Sequence, residues 1–226
     1  MFNGELWINE LSGKMEGMKS VSTSCICNEY CRERAKNTKL ICNKCYAEST
    51  INRYSALAKH LIENTELLTE SEIDYNALPY FLDIVIRFES FGDLQNETQV
   101  INYFNICGKN PQTTFTLWTK NPWFIKNVIS KGYNKPENLI IGYSSPRIND
   151  CKESILERYD FIDFIFTVYT AEYAIEHNIA INCGIAKCKN CMRCYRKHNG
   201  VFKVNEILKQ ESKKYYKMLA KKQGTL

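Results

Sequence analysis

The sequence predicts an α/β fold: a parallel sheet whose strands alternate with crossover helices, followed by a cysteine-rich C-terminal appendage and a terminal helix. Two observations predict it. Short runs of β-branched and aromatic residues recur along the chain, and amphipathic segments of helical period fill the intervals between them. A third limits the domain count, because no internal repeat, low-complexity tract or linker composition interrupts the pattern. We therefore expect one βα-repeat domain over residues 1–182 and a cysteine-cluster appendage with a basic amphipathic helix over 183–226.

The expected strands are Lys19 to Ser24, Asp83 to Phe88, Thr114 to Thr119, Asn138 to Tyr143, Ile162 to Val168 and Ile179 to Asn182. Between the first two, Ile51, Tyr54, Ala58, Leu61 and Ile62 recur near helical spacing, with Lys59, Glu63 and Asn64 on the opposite side. Val100, Ile101 and Phe104 mark a second helix, Phe124, Asn127 and Val128 a third, Ile155, Leu156 and Tyr159 a fourth, and Ala171 to His177 a fifth. Pro122 stands where a first-turn proline is tolerated, and Gly132 where the third helix should stop. The last helix is expected from Lys203 to Lys222, docking by Val204, Ile207, Leu208, Tyr215 and Leu219.

Composition excludes several classes. With 226 residues, 44% of them hydrophobic, the chain can bury a core, which rules out intrinsic disorder. The apolar run around Phe164 to Tyr169 is far shorter than the roughly 18 to 20 residues of a membrane span. Met1 to Glu10 carries Glu5 and Glu10 and has no basic segment leading an apolar one, so a cytoplasmic, reducing location is expected. The net charge of +5 is concentrated in the tail, where nine basic residues from Arg196 to Lys222 face only Glu206 and Glu211. Such a tail, with Tyr215 and Tyr216 interleaved, could follow a nucleic-acid backbone, but a solvated amphipathic helix is the better explanation, because the net charge is small and no base-reading motif is present.

Eleven cysteines in a reducing compartment point to metal or redox chemistry rather than disulfides. Cys183, Cys188, Cys191 and Cys194 are spaced C-x4-C-x2-C-x2-C. Successive two-residue gaps wrap thiolates around one compact object, as ferredoxin runs do, whereas structural zinc more often uses two hooks separated by a longer arm. Iron–sulfur is favoured and zinc stays open, with His198 as a substitute ligand. A second group, Cys25, Cys27, Cys31, Cys42 and Cys45, follows the first expected strand, at the strand ends where βα folds hold their ligands.

Cys42-Asn-Lys-Cys45-Tyr46-Ala47, Arg87-Phe-Glu-Ser-Phe-Gly92-Asp93, Leu117-Trp-Thr-Lys-Asn121, Pro136-Glu-Asn-Leu139 with Ser144-Ser145, and the C-terminal cysteine run together resemble the phage gene-product-88 family of cysteine-rich proteins. More broadly the chain resembles the radical S-adenosylmethionine superfamily. That resemblance implies a partial (βα)6 barrel with one or two 4Fe-4S clusters, and cytoplasmic residence in the host cell. It also implies reductive cleavage of S-adenosylmethionine to a 5'-deoxyadenosyl radical that acts on a substrate of unknown identity. The superfamily spacing is C-x3-C-x2-C, whereas Cys31, Cys42 and Cys45 read C-x10-C-x2-C, with Cys27 or Cys25 as a spare thiol. Three thiolates leave one iron open for the cofactor; four close it.

The resemblance places cofactor contacts at Glu89, Ser90, Gly92 and Asp93, with Lys120 and Ser144 at later strand ends. Asp93 could equally cap the next helix. Arg87, inside a strand, needs a carboxylate partner or a polar cavity. Thr167 and Tyr169 end the fifth strand, while His60, His177, Cys107 and Cys151 have no ligand-spaced neighbours. The competing reading from another class is a non-enzymatic module that binds zinc or closed clusters and meets an inhibitory target or nucleic acid through its basic tail.

Overall fold

The computed structural model describes residues 5–223. Seven strands form one sheet in sequence order: β1 (Asn9–Glu10), β2 (Lys19–Val21), β3 (Val85–Phe88), β4 (Thr114–Thr119), β5 (Leu139–Ser144), β6 (Phe164–Tyr169) and β7 (Phe202–Ile207). β1 runs antiparallel to β2, and every later neighbour pair is parallel. The sheet does not close: β1 and β7 remain its two edges.

Eight helices accompany it among the described residues: α1 (Glu29–Ala35), α2 (Tyr46–Ile51), α3 (Ser55–Glu70), α4 (Glu97–Lys109), α5 (Trp123–Ser130), α6 (Ala171–Glu176), α7 (Cys188–Cys191) and α8 (Ser212–Lys222). Parallel strands added in sequence order by crossovers of one hand place their helices on one face of the sheet. Accordingly Leu68 of α3, Tyr103 and Ile106 of α4, and Ile125 and Val128 of α5 share a core with Ile86, Phe88, Phe115, Leu117, Leu139 and Ile141.

The alternate residues of the same strands face the other way. Trp118, Ile140, Phe164, Phe166, Phe202 and Val204 pack there with Cys183 and Cys194. The chain between α6 and β7 covers this second face, so every position of β5 is buried. Gly142 makes the close packing possible: a Cβ at this position would lie 2.1 Å from the Phe164 ring.

Asparagines fasten the loops at both ends of the strands. Asn138 Nδ2 donates to the carbonyls of Cys107, Asn110 and Thr113 at 3.0, 2.9 and 2.9 Å. Asn64 joins α3 to the N-terminal segment through Trp7 N–H (2.7 Å) and Trp7 O (2.8 Å), and to the end of β2 through Ser22 O.

Four expectations need correction. The run Ile179 to Asn182 is not a strand; Ile179 and Ile181 are apolar because they pack beneath α8 with Met218 and Leu219. The sixth parallel strand is instead β7, inside the segment expected to begin the last helix. Val204 and Ile207 lie three apart, which suits a helix, yet in the extended chain they point to opposite faces and both are buried. The helix itself starts only at Ser212. The helix expected at Ile155 to Tyr159 is a short 3-10 turn, Glu153–Glu157, and the long one after β2 breaks at Asn52 to Tyr54 into α2 and α3.

Candidate metal centre

β2 delivers the chain into a buried Ser22-Thr23-Ser24 segment and then into the first cysteine group. Asn28 caps α1, accepting from Cys31 N–H at 3.4 Å and donating to Asp93 O at 2.8 Å, which ties this loop to the end of β3. Cys31 therefore sits in the first turn of α1. Cys45 sits at the N-cap of α2.

Cys25, Cys31 and Cys45 pack together with Ala47, Ile51 and Leu61. The neighbouring Cys25 thiol, with the Glu48 and Ala47 amides and Lys120, holds the Cys45 thiol below its ordinary value against the opposing effect of burial. Cys25 is correspondingly pushed up, first by the Cys45 sulfur and then by burial. Burial raises Cys31 as well, reinforced by Asp93 and opposed by Lys120.

Lys120, just past β4, is the cation these thiols share. Burial alone would lower its ammonium, but Asp93, Cys42, Cys31 and Tyr46 outweigh it and the net shift is upward. Tyr30 donates its hydroxyl to Lys120 O at 2.7 Å, holding α1 against this strand end. Cys27 is exposed and has no part in the packed group, whereas Cys25, considered only as a spare thiol, is buried within it.

The strand-end residues after β3 divide into two kinds. Glu89, at φ 57°, is fully enclosed. Its carboxylate accepts from Thr23 Oγ1 at 3.0 Å, Gln99 Nε2 at 2.6 Å and Tyr103 Oη at 2.5 Å. Burial raises its carboxyl to about 7, with Asp93 adding to the effect and Tyr103 and Thr23 opposing it. Gly92 lies against this pair so closely that a Cβ would sit 2.4 Å from Thr23 Oγ1 and 2.5 Å from Glu89 Oε2. Asp93 is likewise engaged, by Thr119 Oγ1 at 2.5 Å and by Lys120 N–H at 3.0 Å.

Ser90 differs. Its amide donates to Ser22 Oγ and its carbonyl accepts from Tyr46 Oη, but its own hydroxyl is buried without a partner. Ser144 is buried at the end of β5. Gln99, Tyr103 and Tyr30 escaped the sequence reading, and Tyr46 entered it only as part of the Cys42 to Ala47 motif; Gln99 and Tyr103 could have been found as polar residues on the buried face of α4, one turn apart.

The second cysteine group crosses the sheet's second face. Gly184 (φ 98°) turns the chain, α7 carries Cys188 and Cys191, and left-handed Met192 (φ 52°) ends it so that Cys194 returns to the sheet. Cys188, Met192 and Cys194 pack with Val85 and Phe91 around Leu11, Met18 and Tyr195. Lys14 Nζ lies 3.4 Å from Cys183 Sγ and 2.5 Å from Glu206.

Burial pushes Cys194 up to about 12; Cys183, Cys188 and Cys191 add to that, and Arg87 opposes it. The other three thiols of the group thus lie within electrostatic range of the Cys194 sulfur, and Arg87 and Lys14 stand beside the group. Arg87 stacks on Trp118 at 4.3 Å, and both Arg87 Nε and Trp118 Nε1 are buried donors without acceptors. His198 is occupied elsewhere, with Nε2 2.9 Å from Arg193 O and its ring on Phe202.

All eleven cysteines are free thiols. Among the described residues no three His, Cys, Asp or Glu side chains converge as a single metal ion requires. A tetrahedral zinc site brings its sulfurs to about 3.8 Å of one another, given a Zn–S bond near 2.3 Å. A cluster binds each thiolate to a different iron and so holds them farther apart. The donor set suits a cluster in chemistry, because soft thiolates lie beside cations and unpaired N–H groups that can donate to sulfur.

The basic tail forms α8, which docks on α6 through Tyr215, Met218 and Leu219. Lys214 pairs with Glu172, and Lys222 binds Ile175 O and Asn178. No helix among the described residues is long and apolar enough to cross a membrane.

No curated protein and no solved structure matches the sequence. The family described as Gene product 88 matches residues 7–220, which takes in both cysteine groups and all seven strands. The chain therefore belongs to the gene product 88 family of phage proteins.

Proposed function

We propose that the protein is an iron–sulfur protein with two centres, one of them at the strand ends and competent for radical S-adenosylmethionine chemistry on a barrel-like scaffold. One observation carries the reading: each nest of thiols is built around a cation, Lys120 in the first and Arg87 with Lys14 in the second. Thiolate-ligated iron clusters are anionic, and Arg87, in no ion pair among the described residues and with its Nε buried and unpaired, would be costly without such a neighbour.

Cys31, Cys42 and Cys45 would hold the first centre, with Cys25 as the adjacent thiol that decides whether the ligand set closes. Cys183, Cys188, Cys191 and Cys194 would hold the second, its sulfurs receiving hydrogen bonds from Arg87 Nε and Trp118 Nε1. A centre with one iron free of protein ligands supplies a binding position and a low-potential electron for breaking a carbon–sulfur bond of S-adenosylmethionine. The chain's own part is orientation. Ser90 Oγ is free to meet a bound amino group beside the thiols, Asp93 and Lys120 hold the loop, and β3 and β4 fix their separation.

Anaerobic purification followed by metal analysis tests the reading. The expected result is a brown protein with broad absorbance near roughly 400 nm, as thiolate-bound iron gives. Cys45→Ala and Cys191→Ala should each remove one independent portion of the iron. With reductant and S-adenosylmethionine the loaded protein should release 5'-deoxyadenosine, and Cys45→Ala alone should abolish that release. A colourless protein holding stoichiometric zinc would overturn the reading and favour a structural module. Iron without 5'-deoxyadenosine would leave electron transfer as the role.

A further inference from the structure

A cavity of ≈ 560 Å³ opens beside the first cysteine group, between the loop that follows α1 and the loop that follows β5. Its size falls within the range of small-molecule sites, about 300 to 1,000 Å³. The two loops are joined by backbone pairing, with Leu40 bridged to Arg147 and Ile41 N–H donating to Pro146 O at 2.8 Å. The second loop is itself held rigid. Ser145 Oγ donates to Asp150 O at 2.5 Å, and Asn149, in the left-handed region at φ 64°, donates its amide to Val168 O at 2.9 Å.

Arg34, Arg147 and Lys152 line this cavity, and Asp150 is the one acid among its lining residues, so the lining carries three positive charges against one negative, a net +2. None of these four takes part in an ion pair among the described residues. The Arg34 guanidinium stacks over Tyr30 at 4.7 Å, which fixes its plane. Its Nε is nonetheless buried with no hydrogen-bond partner. An oriented guanidinium, a second arginine and a lysine around one opening match the oxygens of a phosphate group. Asn37 and Ser154 add neutral polar side chains to the lining.

We propose that this cavity binds the phosphate of a small-molecule phosphate monoester. A phosphate dianion balances the net charge of the lining, whereas a simple carboxylate leaves one positive charge unmatched. Tyr30 connects the two sites: Arg34 lies on its ring and its hydroxyl reaches Lys120 O. The anion site stands independently of what the cysteines bind.

Titration calorimetry on the full chain, iron-free and iron-loaded, tests it with inorganic phosphate, ribose 5-phosphate, ribose and acetate as probes. Phosphate and ribose 5-phosphate should bind in both forms; ribose should not, and acetate should bind at least tenfold more weakly. Arg34→Gln and Arg147→Gln should each weaken phosphate binding by tenfold or more with the thermal midpoint unchanged, and Arg34→Lys should fall between wild type and Arg34→Gln. Lys131→Gln, a surface charge outside the cavity, should leave affinity as it was. Absence of phosphate binding, acetate binding as tight as phosphate, or equal losses in Lys131→Gln and Arg34→Gln would each overturn the assignment. So would a single-stranded oligonucleotide that binds equally well to wild type and to both arginine variants while phosphate does not compete.

Discussion

Glu89 concentrates more of the local physics than any cysteine does. A glutamate at positive φ is uncommon, and this one persists because Thr23, Gln99 and Tyr103 all converge on its carboxylate. Its carboxyl is raised by burial to about 7 from an ordinary 4.5. The folded chain thus binds that proton more tightly than the unfolded chain does. The stability it contributes is complete below about pH 4.5 and declines as pH rises through 7. Denaturant titrations across that window should show the decline, and Glu89→Gln should flatten it. Gly92→Ala should cost more than about 2 kcal/mol by forcing Thr23 and Glu89 apart, measured as a lower denaturation midpoint. Neither effect was legible in the sequence, where Glu89 to Asp93 reads as a turn available to a ligand or as an ordinary strand-to-helix turn with Asp93 as its cap. That the glutamate would be consumed by internal donors depends on α4 turning Gln99 and Tyr103 inward, a tertiary fact that no local spacing contains.

Among the elements, the C-terminal segments separate what periodicity can and cannot tell. β3 to β6 were legible because each is a compact apolar run bounded by turn residues and flanked by helical patterns. β7 was not, since Val204, Ile207 and Leu208 satisfy both a helix stripe and a strand whose two faces are buried. The four-residue run at Ile179 misled for the complementary reason: it is apolar to receive α8, not to enter the sheet. Tyr215 is the anchor of that docking, 6% exposed between α6 and the end of β7. Tyr215→Ala should cost about 3 kcal/mol, as large buried aromatics do, and should raise hydrogen exchange in α8 and α6 before the rest of the chain. The cysteine spacings were legible as two groups, but the choice of Cys25 over Cys27 rests on which residue the Ser22-Thr23-Ser24 segment turns inward.

On the scale of the whole molecule, the two cysteine groups lie on different parts of one scaffold yet share a packing residue. Phe91 packs against the cluster that includes Cys25, Cys31 and Cys45 and against the one that includes Cys188 and Cys194. If both groups hold iron, stripping metal with a chelator should lower the melting temperature, because whatever binds only the folded chain stabilises it by mass action. The loss should be smaller in Cys191→Ala, which begins without the second portion, and a scan of each protein with and without chelator checks this.

Strand order also dictates how the polypeptide can be made. Since every strand lies next to its predecessor, a chain emerging from the ribosome can extend the sheet outward one neighbour at a time, with no gap left for a later segment to fill. β7 arrives last, and Cys183 to Cys194 can be clamped against Phe164 and Trp118 only as it docks. A product terminated before Phe202 would keep the first thiol nest but present β6 as a bare, hydrophobic edge, a template for pairing with other copies.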